Sequence, residues 1–460
     1  MSGNLAINGG KKICENLEQL KKCWPPKVNG EKALIEKFIN ERNFISNMNK
    51  NIENIAEKMK RALNSKYFSF FSSGASALHA ALIACDIGPG DEVIVPSYTF
   101  AAPAFAVLRV GAIPVFADVD LESYNIDERE TVKLLKKFKK IKAIIAVHMN
   151  GYPANVKKLR QIADKYKIKL IEDVAQAYGG KIDGKMVGTY GHIGCFSFMA
   201  AKQLATCGEL GGICSDDVNI INKANSVKTY GQKIIEDDSN FYYNTFSYGY
   251  NYKASPLNCL FLGLQLKNFD SNISIVKKNA KKLREYVYKN IPFLIPHKVD
   301  IGFEHVYHFC RFRCETSQFG IDSGLFREAL MEIMEAEGLP LRLYQTHPTY
   351  KQEIFTQVFN NKINYPWKFN SDYINMYREN YSDLNNPNTL KIIDSTFSIG
   401  GSGAAPNYLF NEEIVELYIQ GFKKIKENLK EVIDYCKKKT FYVSPYLGIA
   451  RLSDTKGEFK

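Results

Sequence analysis

Residues 168–217 read IKLIEDVAQAYGGKIDGKMVGTYGHIGCFSFMAAKQLATCGELGGICSDD, and this stretch decides the fold. Leu170 and Ile171 form a short apolar run that predicts a buried strand, and Asp173 stands at its carboxyl end. A second apolar run contains Ser197, and Lys202 follows it in a turn rich in small residues. Because open α/β sheets bind ligands at the carboxyl ends of their strands, we expect these polar groups to meet there.

An acid, a hydroxyl and an amine in this order fit one cofactor, pyridoxal phosphate (PLP). PLP needs an amine that bonds to its aldehyde, an anion beside its pyridine nitrogen, and hydrogen-bond donors for its phosphate. A lone lysine in a loop is usually a solvated surface charge, and a strand-end aspartate is often only a helix cap. The joint order and spacing of the three groups therefore carry the prediction.

The segments EDVAQAYGG and FSFMAAKQLATCGELGG resemble the DegT/DnrJ/EryC1/StrS family of fold-type-I sugar aminotransferases. The resemblance implies that Asp173 pairs with the pyridine nitrogen, that Gln176 bonds the ring hydroxyl, and that Ser197 contacts the phosphate. It also implies that Lys202 is the catalytic lysine that carries the cofactor. Some members have histidine at this last position and act as dehydratases, so the lysine favours transamination. The family usually reads GEGG where this chain reads GELGG at residues 208–212.

An upstream segment, YFSFF followed by SSGAS, predicts a strand, a glycine turn and a helix start. Free backbone N–H groups and the positive end of the helix make such a turn a phosphate cradle. It resembles the family's SGTxAL loop, which implies cofactor contacts from Gly74, Ala75 and Ser76. The run GPGDEVIVPSYTF also resembles the family, and it implies that Phe100 stacks on the cofactor ring.

The segment YGYNYKASPLNCLFLGLQL resembles a family segment whose asparagine reaches the phosphate bound by the neighbouring subunit. The resemblance therefore implies that Asn251 is a cofactor residue and that the chain forms a homodimer with shared active sites. Lys253 stands where the family has arginine. The apolar run from Leu257 to Leu266 is more hydrophobic than one exposed face requires, which also favours an interface.

Four residues are candidates for substrate binding. Trp24, in CWPPK, lies in an N-terminal stretch that resembles the StrS-like, inosose-aminotransferase-like branch. In that branch this stretch lies near the substrate entrance. The alternative is that Trp24 is a hydrophobic anchor for the stretch. His148 closes a predicted strand and either faces the site or caps the strand. Tyr344 and His347 lie in LRLYQTHPTY, which resembles the substrate-facing segment of inosose-type members.

No metal site is predicted. The run VYHFCRF at 306–312 alternates like a strand, and residues three apart on a strand point to opposite faces, which rules out His305 and His308 as a metal pair. The 10 cysteines are scattered and contain no CxxC pair, so we expect reduced thiols.

The composition predicts a soluble, cytoplasmic protein of two domains. The chain has 460 residues, 45% of them hydrophobic and 24% charged. It has neither an apolar run near the ~18 residues of a membrane span nor a signal-peptide core. The net charge of +12 indicates a lysine-rich solvated surface or a field that attracts an anionic substrate, and no motif supports nucleic-acid binding.

Strands that alternate with helices predict an α/β fold with a mainly parallel central sheet flanked by helices. The resemblance adds a smaller α+β C-terminal domain. We expect an N-terminal arm at 1–45, a large PLP-binding domain at 46–270, and a linker helix with a small C-terminal domain and an extended tail at 271–460. One long helix is expected from Ile414 to Cys436.

The predicted function is transfer of an amino group from glutamate or glutamine to a keto-sugar or keto-cyclitol, in antibiotic, aminosugar or glycan biosynthesis. Two alternatives remain open. A PLP-dependent dehydratase or lyase of the amino-hydroxybenzoate-synthase type would not require an amino donor. A PLP-binding regulatory protein would not convert the cofactor to pyridoxamine phosphate even in a single turnover.

Overall fold

The computed structural model describes residues 4–46, 49–232, 245–359, 365–367, 371–381, 384–399 and 406–439. Most of the expected C-terminal tail, residues 440–460, lies outside the described residues. The described residues contain no helix that is both long and apolar enough to cross a membrane.

The strands are β1 (Tyr67–Phe71), β2 (Glu92–Pro96), β3 (Ile113–Ala117), β4 (Ile141–Val147), β5 (Lys169–Asp173), β6 (Lys181–Ile182), β7 (Lys185–Met186), β8 (Ile193–Ser197), β9 (Gly211–Ser215), β10 (Leu294–Pro296), β11 (Phe303–Glu304), β12 (Arg311–Cys314), β13 (Leu341–Arg342) and β14 (Thr396–Ile399).

The α-helices are α1 (Glu31–Glu41), α2 (Lys50–Leu63), α3 (Gly74–Ala84), α4 (Ala102–Arg109), α5 (Glu128–Lys137), α6 (Val156–Tyr166), α7 (Val218–Lys228), α8 (Pro256–Gln265), α9 (Phe269–Asn290), α10 (Ser323–Ala336), α11 (Glu353–Thr356), α12 (Ser371–Tyr381), α13 (Pro387–Ser395), α14 (Pro406–Leu409), α15 (Glu412–Glu427) and α16 (Leu429–Lys438).

The central sheet has seven strands in the order β1-β9-β8-β5-β4-β2-β3. The pairs from β3 to β8 are parallel, and β9 runs antiparallel to both of its neighbours. The expected mainly parallel sheet is therefore confirmed. Its order brings β5 and β8 side by side, so that Asp173 pairs in register with Cys195.

Both faces of the central sheet are buried, as a sheet flanked by helices requires. Ile94 packs into one hydrophobic cluster, together with apolar residues of α2, α6 and α9. Its neighbours Val93 and Val95 pack into a second cluster, which includes most of the apolar residues of α3. This alternation explains why the strands read as continuous apolar runs.

A second, antiparallel sheet has the order β10-β12-β14-β13 and packs against α10, α15 and α16. The expected strand at 306–312 was wrong in extent, because β12 begins only at Arg311. The expected single helix from Ile414 to Cys436 is two helices that are separated at Asn428. The proposed domain boundary at residue 270 lies in the first turn of α9 and stays a proposal.

The N-terminal arm spreads across the molecule. The backbone N–H of Ala6 donates to Glu337 Oε1 at 2.8 Å, and Cys14 N donates to the Glu337 carbonyl at 3.0 Å. Further along the arm, the Pro26 carbonyl accepts a 2.8 Å hydrogen bond from Gln265 in α8. The arm thus contacts both the C-terminal sheet region and the helices beside the central sheet.

Candidate active site

Lys202 lies in a tight loop that follows β8. Thr206 N donates to the Phe198 carbonyl at 2.8 Å, and Lys202 N donates to the Met199 carbonyl at 2.8 Å, so the backbone around the lysine is held from within. Burial lowers the pKa of the Lys202 amine from its usual value, while Asp173 and Glu209 oppose that shift. A larger share of the amine is therefore uncharged near neutral pH than for an exposed lysine.

Asp173 ends β5 and is buried. Its Oδ1 accepts a 2.9 Å hydrogen bond from the Ala175 backbone N–H. Burial raises the pKa of the Asp173 carboxyl, whereas the positive charge of Lys202 acts to lower it. The structure thus brings the predicted acid and the predicted amine within electrostatic range of each other.

Gln176 has its side-chain orientation fixed by two neighbours. Its Oε1 accepts a 2.8 Å hydrogen bond from Asn150 N, so its amide nitrogen faces the other way. That nitrogen donates to Tyr344 Oη at 2.8 Å. Since an amide nitrogen has two hydrogens, one donor of Gln176 remains for a further acceptor.

His148 lies beneath the site rather than in it, which argues against its predicted substrate contact. Its side chain is 0% exposed. Its Nδ1 accepts from Ala154 N at 3.0 Å, and its Nε2 lies 3.1 Å from Glu172 Oε2. Both ring nitrogens are therefore used internally, and the residue is placed to position the backbone around Asp173.

Glu172 anchors the layer below the site. Its carboxylate accepts hydrogen bonds from the backbone N–H groups of Gly188 at 2.7 Å, Tyr190 at 2.7 Å and Gly191 at 2.5 Å. Burial acts to raise the pKa of this fully buried carboxyl. The hydrogen bond from His148 is the largest of the effects that lower it, and the net result is a pKa below the usual value. The charge of Glu172 therefore stabilises the surrounding backbone and is unavailable to a ligand.

The predicted phosphate cradle forms at the start of α3. The helix begins at Gly74, behind the N-cap residue Ser73. A methyl group on Gly74 would lie 2.8 Å from Ser197 Cβ, so the helix start and the predicted phosphate serine are in close contact. The N–H groups of Gly74 and Ala75 belong to the first turn, which has no intrahelical acceptor.

Ser76, whose cofactor contact stays a prediction, takes part in the N-terminal cap of α3. Ser76 N donates to Ser73 Oγ at 3.1 Å, and Ser76 Oγ accepts from Ser73 N at 2.9 Å in a reciprocal capping box. The Ser76 hydroxyl also donates to the Ser73 carbonyl at 2.8 Å. These local bonds engage both the backbone N–H and the hydroxyl of Ser76, whereas Gly74, Ala75 and Ser197 need no such bond to be broken.

Phe100 follows β2 and is 60% exposed, which is unusual for a large apolar side chain and leaves its ring free to cover a ligand. The segment that contains Tyr344 and His347 packs beside the same loop. Thr349 N donates to the Ser97 carbonyl at 2.9 Å. Tyr344 reaches Gln176 as described, whereas the hydrogen bond of the half-buried His347 is with its neighbour Thr346.

Trp24 contacts the lysine loop directly. Its Nε1–H donates to the Lys202 backbone carbonyl at 2.9 Å, and its ring meets that of Phe410 edge-on at 5.6 Å. These contacts favour the anchoring interpretation over the substrate-binding one. Asn251, by contrast, is exposed, and its backbone forms an antiparallel bridge with Thr229.

Sequence reasoning missed His308. This side chain is buried, its Nδ1 has no hydrogen-bond partner, and burial together with Lys202 and Arg311 holds its pKa well below the usual range. Its position in the apolar run VYHFC contained no signal of proximity to Lys202. In the described part of the chain, no group of three metal-ligating side chains is placed to hold a metal ion.

These residues fit PLP. Gln176 keeps one amide N–H for a ring hydroxyl, and the start of α3 offers free N–H groups beside Ser197. No hydrogen bond from a described residue reaches Asp173 Oδ2, so that oxygen would be available to a pyridinium nitrogen. Lys202, with its lowered pKa, would supply the amine.

Comparisons with known proteins identify the family. The family model of the DegT/DnrJ/EryC1/StrS aminotransferase family matches residues 28–378. UDP-N-acetyl-3-dehydro-alpha-D-glucosamine 3-aminotransferase of Acidithiobacillus ferrooxidans is 34% identical, over 62% of this chain and 71% of that protein. GDP-perosamine synthase of Vibrio cholerae is 31% identical, over 62% and 75%. A protein named pleiotropic regulatory protein, from Geobacillus stearothermophilus, is 30% identical, over 62% and 72%.

Solved structures agree on the fold. An aminotransferase of this family from Brucella abortus superposes with a TM-score of 0.69 at 25% identity, over 86% of this chain and 95% of that one. NtdA of Bacillus subtilis, solved with its cofactor PMP, superposes with a TM-score of 0.70 at 22% identity, over 92% and 87%. The chain therefore belongs to the DegT/DnrJ/EryC1/StrS aminotransferase family, and it is a fold-type-I aminotransferase.

Proposed function

We propose that this chain binds PLP on Lys202 and moves an amino group from glutamate or glutamine to a keto-sugar or keto-cyclitol. The observation that carries the proposal is the constellation of Lys202, Asp173 and Gln176, in which each group has the donor, acceptor or charge that PLP requires. Two named relatives that act on nucleotide-linked sugars support a sugar acceptor. The cyclitol alternative rests on the resemblance of the N-terminal arm to the StrS-like branch.

Each residue has a distinct role in this proposal. When bound, PLP supplies an electron sink that makes the hydrogen on the donor's α carbon acidic. Lys202 Nζ, whose pKa is lowered by burial, would take that proton. Asp173 would hold the pyridine nitrogen in its protonated form, and Gln176 would donate to the ring hydroxyl. Gly74, Ala75 and Ser197 would hold the phosphate.

We also propose a homodimer in which Asn251 completes the partner's phosphate site. Support comes from exposed aromatic side chains around this segment, Tyr230, Phe246 and Tyr248, since large exposed apolar patches mark interaction surfaces. The compartment we propose is the reducing cytoplasm, which the 10 free cysteines support.

A single-turnover experiment tests the reaction. The PLP-loaded protein is mixed with L-glutamate or, in parallel, with L-glutamine in the absence of acceptor, and the keto acid and pyridoxamine phosphate are quantified. Stoichiometric formation of both is expected. A dehydratase would release product from a sugar without consuming glutamate, and a regulatory protein, as the name of one relative suggests, would leave PLP unchanged.

A further inference from the structure

Arg311 is a buried cation next to the candidate site. It is the first residue of β12, and it is 1% exposed. Alternate residues of a strand share a face, so Arg311 and Arg313 point to one side of the C-terminal sheet. Phe312, between them, packs into the hydrophobic cluster on the other side. The two arginines therefore lie on the face that is turned away from that cluster.

The guanidinium of Arg311 has partners on one side only. Its Nη1 donates to Tyr98 Oη at 2.5 Å and to Thr396 Oγ1 at 3.4 Å. Its Nε and Nη2 are buried and have no hydrogen-bond partner. No described carboxylate lies within salt-bridge distance of Arg311, whereas Arg313 pairs with Glu315.

Aromatic rings surround the charge. The Cζ atom of Arg311 lies 5.0 Å from the centroid of Tyr344, 5.4 Å from that of Phe309 and 5.7 Å from that of Tyr98. Ring faces attract a cation, but they do not accept the two in-plane hydrogens of Nε and Nη2. A buried charge with unused donors is costly unless an anion completes it.

The two unused donors identify the kind of anion. Nε and Nη2 occupy the same edge of the planar guanidinium, and their N–H bonds are nearly parallel. This edge matches the two oxygens of a carboxylate or of a phosphate in a bidentate pair. Tyr344 contacts both groups: its ring lies against the Arg311 guanidinium, and its hydroxyl accepts from Gln176, so one side chain links Arg311 to a residue proposed to hold the cofactor ring.

We infer that Arg311 binds the carboxylate of the amino donor and of the keto acid that leaves. The inference rests on the proposed function, since it assigns one substrate to that site. A small planar carboxylate suits an edge with no solvent access better than the diphosphate of a nucleotide-linked sugar.

Binding of succinate to the PLP-loaded protein, measured by calorimetry, tests the inference. Arg311→Met should weaken succinate binding by about 10- to 100-fold, because a bidentate charge-assisted pair is lost. Arg313→Met is the matched control, since it removes an arginine of the same strand and face, and it should change the affinity by less than about twofold. Circular dichroism verifies that each variant folds.

Arg311→Lys keeps the charge but removes the two parallel N–H donors of Nε and Nη2, so it tests the inference even if Arg311→Met does not fold. It should weaken succinate binding by about 10-fold. Unchanged succinate affinity in Arg311→Lys, or an Arg311-dependent site that prefers inorganic phosphate to succinate, would overturn the assignment. Failure of both glutamate and glutamine to convert PLP, with Arg311-dependent succinate binding intact, would contradict the proposed function alone.

Discussion

The indole N–H of Trp24 donates a 2.9 Å hydrogen bond to the backbone carbonyl of Lys202. This bond joins the N-terminal arm to the loop that presents the lysine amine. The same indole packs on Phe410, so one residue connects the arm, the lysine loop and the C-terminal region. The arm thus contributes to the position of the lysine, which is a role beyond lining a substrate entrance.

Trp24→Phe should lower kcat by about 5- to 10-fold, because it removes one hydrogen bond worth about 1 kcal/mol and loosens the Lys202 backbone. The acceptor KM should change little. Steady-state kinetics measure both. Phe410→Leu is the control, since it removes the ring contact and keeps the hydrogen bond, and it should retain kcat within about twofold. A change confined to the acceptor KM would instead make Trp24 a substrate residue.

Gly74→Ala should weaken PLP binding by at least about 10-fold, because the new methyl group would lie 2.8 Å from Ser197 Cβ and push the cradle apart. Titration of the cofactor-free protein with PLP measures the affinity. Gly88→Ala is a matched control, since a methyl group there meets nothing within 4 Å, and it should leave the affinity unchanged. Equal effects of the two substitutions would disprove the cradle.

Asp173→Asn should stabilise the cofactor-free protein at pH 8. Burial raises the pKa of Asp173 above its ordinary value of 3.8, so the folded state binds the proton more tightly than the unfolded state does. The free energy of unfolding therefore falls as pH rises from the unfolded-state pKa of Asp173 through its higher folded-state pKa. The destabilisation by the buried carboxylate is fully present above the folded-state pKa. Urea unfolding at a series of pH values should show the advantage of asparagine disappearing as pH approaches 4. A pH-independent difference would refute this.

Lys202→Ala and Asn251→Asp should each be inactive and should partly restore activity when mixed under subunit exchange. In one site of the mixed dimer, an intact Lys202 meets an intact Asn251, while the other site carries both defects. At most one of the two sites in each mixed dimer can therefore be active. A stable, active monomer in light scattering would contradict shared sites and would remove Asn251 from the cofactor set.

The sequence predicted well those features that are encoded locally. The strand YFSFF matches β1 residue for residue, because an aromatic run ends at a serine-glycine turn that starts a helix. The strand expected at 306–312 begins only at Arg311. The backbone before it is used elsewhere, since Val306 N donates to the Gly151 carbonyl and Phe309 N to the Asn150 carbonyl.

Contacts between distant segments were beyond the reach of sequence patterns. Trp24 and Lys202 are 178 residues apart, and Gln176 and Tyr344 are 168 apart. Arg311 has no signature in a run of apolar residues, and its unused donors are visible only in three dimensions. The capping bonds between Ser76 and Ser73 use the same groups of Ser76 that a phosphate would use, and the sequence pattern did not reveal this competition.

Covalent labelling of the lysine tests the central claim most directly. The PLP-loaded protein is reduced with borohydride and digested, and the peptide that carries the phosphopyridoxyl group is identified by mass spectrometry. We predict that the label lies on Lys202 and is absent from the Lys202→Ala variant. The strongest competitor is Lys228, whose pKa burial lowers to about 8. A label on Lys228, or on any lysine other than Lys202, would contradict the account.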